Sequence, residues 1–79
     1  MANTTHEMFI TNKEDFLKRI NICFFKLGFR LESETKDLIV YKRFFVRIGI
    51  SFNQNKAIFH GSRVAIENLL DVYSGKKLR

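Results

Sequence analysis

The stretch LIVYKRFFVRIGISF at residues 38–52 constrains the fold more than any other part of the chain. Phe44, Val46, Ile48, Ile50 and Phe52 alternate with Phe45, Arg47, Gly49, Ser51 and Asn53, which is the period of a half-buried strand. Three cations, Lys42, Arg43 and Arg47, sit inside this run. A strand buried on both faces would not hold them, so one face must meet a core and the other solvent or a partner. The residues leave open whether 38–52 is one long strand or a hairpin folded near Lys42 and Arg43. No Gly, Pro, Asn or Asp lies there to favour a turn, which argues for one long or bulged strand.

Helical periodicity flanks this region on both sides. In TNKEDFLKRINICFFKLGF, Phe16, Ile20, Cys23, Phe24 and Leu27 form a single apolar stripe. Thr11 and Glu14 have capping-box spacing, and Gly28 supplies a left-handed stop from which Phe29 can fold back towards Phe24. In GSRVAIENLLDVYSG, Ser62 is a good N-cap and Ile66, Leu69, Leu70 and Tyr73 form the stripe. Arg63 and Glu67, four residues apart, can pair, and Gly75 ends the helix. Polar segments at 32–37 and 53–56 read as turns, the second with Asn residues able to take positive φ. Residues 1–10 read as a flexible segment in which 8–10 could add a short strand, residues 11–75 as one domain, and residues 76–79 as a basic tail. The expected fold is a small α+β domain, helix, three or four antiparallel strands, helix, with both helices on one face of the sheet.

At 79 residues there is room for one domain, which buries only a little over ~60% of the surface its unfolded chain exposes. Nine Phe and no Trp point to a core built of phenylalanine rings. No leader pattern opens the chain and no apolar run reaches the length of a membrane span, so we expect a protein without a membrane partner, located in the cytoplasm. One Cys and two separated His offer no metal-ligand spacing, and we expect neither metal nor cofactor. Phosphate-binding, dinucleotide and serine-hydrolase motifs are missing. Cys23 with His60 would be a nucleophile and base only if the thiol were accessible, and its place on the apolar stripe argues for an inert, buried group. The expectation is a protein that is not an enzyme.

The net charge of +6 favours nucleic acid, an anionic surface or an acidic patch on a protein as partner. If the helices cover the face of Val46, Ile48 and Ile50, then Phe45 and Arg47 point outward. Either Tyr41 and Arg43, or Lys42, lie beside them, and Arg30 and Lys56 extend the face from neighbouring strands. With Arg63 these eight residues are the expected partner-binding set, because arginine and aromatic side chains dominate protein hot spots and single-stranded nucleic-acid sites alike.

The helix, strands, helix order resembles that of double-stranded RNA-binding domains over residues 12–73. Gly61, Ser62 and Arg63 stand where that family has its phosphate-holding helix start. The family pattern of further lysines is replaced here by Val64, Ala65, Ile66 and Glu67, and Glu67 would repel phosphate. The chain as a whole is short and rich in Lys, Asn, Ile and Phe. In this it resembles the small early proteins that lytic phages of low-GC Gram-positive bacteria use for host takeover. That resemblance implies an inhibitor or modulator docked by protein–protein interaction on a host machine, RNA polymerase being a frequent target. Nucleic-acid binding through the sheet face, with Arg63 and the basic tail, is the alternative. A small homo-oligomeric component, joined through an edge strand at 29–33, is a third reading.

Overall fold

The computed structural model describes residues 3–75, in which two helices and a five-stranded antiparallel sheet form an α+β domain. The elements run β1 (Asn3–Phe9), α1 (Lys13–Lys26), β2 (Arg30–Glu34), β3 (Leu38–Arg43), β4 (Val46–Asn53), β5 (Lys56–Ser62) and α2 (Arg63–Tyr73). Strand order across the sheet is β1-β5-β4-β3-β2. The basic tail expected at 76–79 lies outside the described residues.

Two expectations are corrected. The N-terminal segment is not frayed: Asn3–Phe9 is an edge strand in register with β5, from Asn3 opposite Ser62 to Phe9 opposite Lys56. Its polar composition hid it, because a ladder of backbone hydrogen bonds needs no apolar side chain and only Met8 leans on the core. Residues 38–52, in turn, are a hairpin rather than one long strand. Arg43 lies opposite Val46, so Phe44 and Phe45 alone make the turn between β3 and β4. The alternation that runs from Val46 to Phe52 therefore stops short of Phe44.

The remaining boundaries follow local chemistry. α1 is capped by Asn12 and not by Thr11, its Oδ1 accepting from the Asp15 N–H at 2.9 Å. Asn12 offers the same acceptor at the same three-residue spacing, one position later. At the other end Gly28 takes φ +85° and the Phe29 N–H donates to the Phe24 carbonyl at 2.9 Å, which brings the two rings to 5.5 Å. Ser62 Oγ caps α2 by accepting from the Ala65 N–H. The β4–β5 turn places Gln54, not an asparagine, at positive φ.

Ile39, Tyr41, Ile48, Ile50, Ala57 and Phe59 share one face of β3, β4 and β5, since side chains alternate along each strand. They form a single buried cluster with Phe16, Ile20, Cys23 and Phe24 of α1 and Ile66, Leu69 and Val72 of α2. Phe24 stacks on Tyr41 at 3.8 Å between centroids, and Phe16 meets Phe59, Phe52 and Tyr73 at 5.8–6.2 Å. No polar or charged side chain among the described residues is buried. Cys23 belongs to this cluster, and burial pushes its thiol up from the ordinary range. Tyr41 reaches its polar partner at the edge of the cluster, donating from Oη to Asn21 Oδ1 at 2.9 Å.

Gly61, where β5 bends into α2, has φ +143°, and a Cβ there would stand 2.5 Å from the Arg47 carbonyl oxygen of the adjacent strand. At Gly28 the nearest atom to such a Cβ is Arg43 Cδ at 3.5 Å, an ordinary contact. Gly28→Ala should therefore cost only the left-handed backbone term, roughly 1–2 kcal/mol. Gly61→Ala adds a backbone collision and should cost clearly more. Urea denaturation midpoints of the two variants measure the difference, and equal losses would contradict the close approach.

Candidate protein-docking surface

The sharpest feature of the surface is the β3–β4 turn. Two-residue hairpin turns that match the twist of a sheet need positive φ at their first central residue, usually supplied by Gly or Asn. Here Phe44 adopts φ 54°. Phe44 is 79% exposed and Phe45 97% exposed. A phenylalanine in left-handed backbone costs about 1 kcal/mol, and neither ring recovers that cost by burial.

Two shallow depressions adjoin the tip. One is lined by Leu27, Gly28, Arg30, Lys42, Arg43 and Phe44, where the end of α1 passes the hairpin. The other runs from Arg43 and Val46 to Val64 and Asn68 at the start of α2. Arg43 joins the two. Its Nη1 donates to the Leu27 carbonyl at 2.7 Å, and its guanidinium lies about 6 Å from the rings of Phe29 and Phe44. Phe25, in the last turn of α1, is 80% exposed, and Val64 is exposed as well. The tip thus combines exposed apolar side chains with Arg43, Lys42 and Arg30.

The eight expected partner-binding residues do not form one set. Tyr41 is removed from the set: it points inward and stacks on Phe24, because it alternates in phase with Ile39. Phe45 and Arg43 lie at the hairpin tip, so Phe45 does not stand on the sheet face. Arg30, Lys42 and Arg47 form a row across β2, β3 and β4, each directly opposite the next. Lys56 and Arg63 lie elsewhere, Lys56 paired with Glu7 and Arg63 with Glu67, both at 3.3 Å.

The row of cations is partly neutralised. Arg47 donates from Nε and Nη2 to both carboxylate oxygens of Glu32, at 2.8 and 3.0 Å. These hydrogen bonds, more than the charges of Arg47 and Lys42, hold the Glu32 carboxyl below its ordinary range. Phe44, Phe25 and the carboxylate partner of Arg47 escaped the sequence reading. The period placed Phe44 with Val46 and Ile48 on the core face, and no residue preference in the adjacent pair Phe44-Phe45 marked a turn.

On the same face Ser51 Oγ and His60 Nε2 lie 2.9 Å apart across β4 and β5. His60 follows Phe59 of the buried face and so turns away from it, whereas Cys23 lies within the core cluster. The sheet separates the Cys23–His60 pair considered from sequence. Among the described residues no group of three His, Cys, Asp or Glu could hold a metal ion, and no helix is long and apolar enough to cross a membrane.

Two outcomes test this geometry. Phe44→Gly should raise stability by about 1 kcal/mol, a Tm increase of roughly 4–8 °C for a domain of this size. A fall in Tm would mean that the Phe44 ring packs in solution. In an NMR titration the Glu32 carboxyl should titrate below the usual range, and Arg47→Ala should return it upward. Because the folded value is depressed, the pair's contribution is complete above the ordinary carboxylate range and is lost as pH falls through the folded value.

Comparison with family models, with curated proteins and with solved structures finds no match to this chain.

Proposed function

We propose that this protein is a non-enzymatic docking module that seats its aromatic hairpin tip on an acidic surface of a partner protein and modulates that partner. The observation that carries the reading is Phe44, a large apolar side chain kept exposed at a backbone position that glycine would occupy without strain. Strain of this kind persists where a function requires the side chain. Arg43, Lys42 and Arg30 around the tip, within a chain of net charge +6, favour carboxylates as the rim of the docking surface. The composition, of the kind found in small early phage proteins, favours a host machine, the transcription apparatus first among them.

Direct nucleic-acid binding through the sheet face is the weaker reading. Single-stranded sites need aromatic rings beside the cations for bases to stack on. Here Tyr41 is buried, Phe45 stands at the turn, and Arg47 is already held by Glu32.

An affinity pull-down from a bacterial lysate, with and without nuclease, tests the proposal beside a Phe45→Ala variant. Phe45 touches little, so its truncation should leave stability within about 0.5 kcal/mol. It should weaken capture of a discrete partner by about 2 kcal/mol, some thirtyfold. Capture that survives nuclease and is lost in the variant supports protein docking. Recovery of nucleic acid alone, unaffected by Phe45→Ala, overturns it.

A further inference from the structure

The two edges of the sheet are built differently. β2 is five residues long, carries Arg30, Glu32 and Glu34, and shifts register between Leu31 and Ser33. Short length, charge and a bulge are the devices by which sheet edges avoid further pairing. β1 has neither the short length nor the bulge and carries a single charge. It is seven residues long, pairs with β5 without a register shift, and contains no Lys, Arg or Pro. Its one charged side chain is Glu7, ion-paired to Lys56 at 3.3 Å.

The phase of its free hydrogen bonds can be worked out. The Ile10 N–H donates to the Asn55 carbonyl at 2.7 Å, which makes Ile10 and Asn55 a hydrogen-bonded pair. In antiparallel pairing, bonded and non-bonded pairs alternate. Met8, His6 and Thr4 therefore exchange bonds with Ala57, Phe59 and Gly61. Asn3, Thr5, Glu7 and Phe9 turn their N–H and C=O groups away from the sheet.

We propose that the β1 edge is a self-association surface, on which a second copy of this chain adds its own β1 antiparallel across a two-fold axis. An isologous contact needs a self-complementary strand, and the register can be chosen on physical grounds. With the axis at His6, Asn3 faces Phe9 of the other copy and Thr5 faces its Glu7. Every outward backbone group of the strand then finds a partner. An axis at Glu7 would set two carboxylates directly opposite each other, which is unfavourable. An axis at Thr5 leaves Phe9 without a partner inside the strand. The strand itself carries no Lys or Arg, and the cation that lies over its Phe9 ring, Lys56 at 5.6 Å, is ion-paired to Glu7; this matters in a chain of net charge +6, since two copies would repel at most other contacts. Asn3 lies at the end of the sheet where β4 begins, so the antiparallel axis sends the two hairpin tips to opposite ends and leaves both free.

Sedimentation equilibrium of the full chain, from micromolar to millimolar concentration, tests the proposal. The mass should rise from 9.4 kDa towards twice that value. Thr5→Pro removes an outward N–H and none of the bonds to β5, a substitution that edge strands tolerate. It should remain folded by circular dichroism and stay monomeric. His6→Cys should form a symmetric disulfide on oxidation, because directly opposed non-bonded residues have Cα atoms about 4.5 Å apart, within disulfide reach. A 9.4 kDa mass at every concentration, or dimerisation undiminished by Thr5→Pro, would overturn the proposal. So would a dimer in which His6→Cys fails to cross-link, or a monomer that takes an unrelated extended peptide at this edge.

Discussion

Two phenylalanines eight residues apart on α1 hold this domain together. Phe16 meets Phe59 of β5 and Tyr73 of α2, and Phe24 stacks on Tyr41 of β3 and meets Phe29 beyond the helix stop. Between them they join α1 to α2, to the three strands β3, β4 and β5, and to the loop that starts β2. A chain this small has little surface to bury, so each aromatic ring, with its large apolar area, carries a disproportionate share of the stability. The helix that carries both rings also links the two sheet edges, β1 before it and β2 after it.

With the core wholly apolar, the cations lie at its margins, and their distribution is uneven. Glu32, Glu7 and Glu67 occupy Arg47, Lys56 and Arg63. Arg43 instead spends a hydrogen bond on the Leu27 carbonyl, where it also supports the end of α1, a favourable place for a cation. Arg43 thus stands at the hairpin tip beside the exposed Phe44 and Phe45 with no carboxylate partner among the described residues. Exposed aromatic area beside desolvatable arginine is what a protein partner can use, whereas a salt-bridged arginine must first lose its carboxylate.

Both helices were legible in the chain, because their stripes repeat at helical period and their ends carry caps: Ser62, Gly28 and Gly75 behave as local chemistry requires. The core face of β4 was legible for the same reason, at period two. β1 was not, since its pairing rests on backbone groups common to all residues. The β3–β4 turn was not, since Phe44 has none of the residue preferences that mark turns. Of the expected surface residues, Phe45, Arg43, Lys42, Arg30 and Arg47 are exposed or half-exposed as read, and Tyr41 fails because a turn of two residues reset the phase of β3 relative to β4.

What the sequence determined alone is therefore whatever depends on neighbours within a few positions: helix stripes, caps, the alternation of Val46, Ile48 and Ile50, and the sign of the charge. Tertiary structure decided the matters that depend on partners far along the chain. It paired residues 3–9 with 56–62, bent Arg43 onto Leu27, gave Arg47 to Glu32, and forced Phe44 into left-handed backbone so that β3 and β4 could meet in register. The physical reason is that backbone hydrogen bonds and ion pairs between strands, unlike the Arg63–Glu67 pair within α2, carry no sequence period, and only the folded sheet selects which of them form.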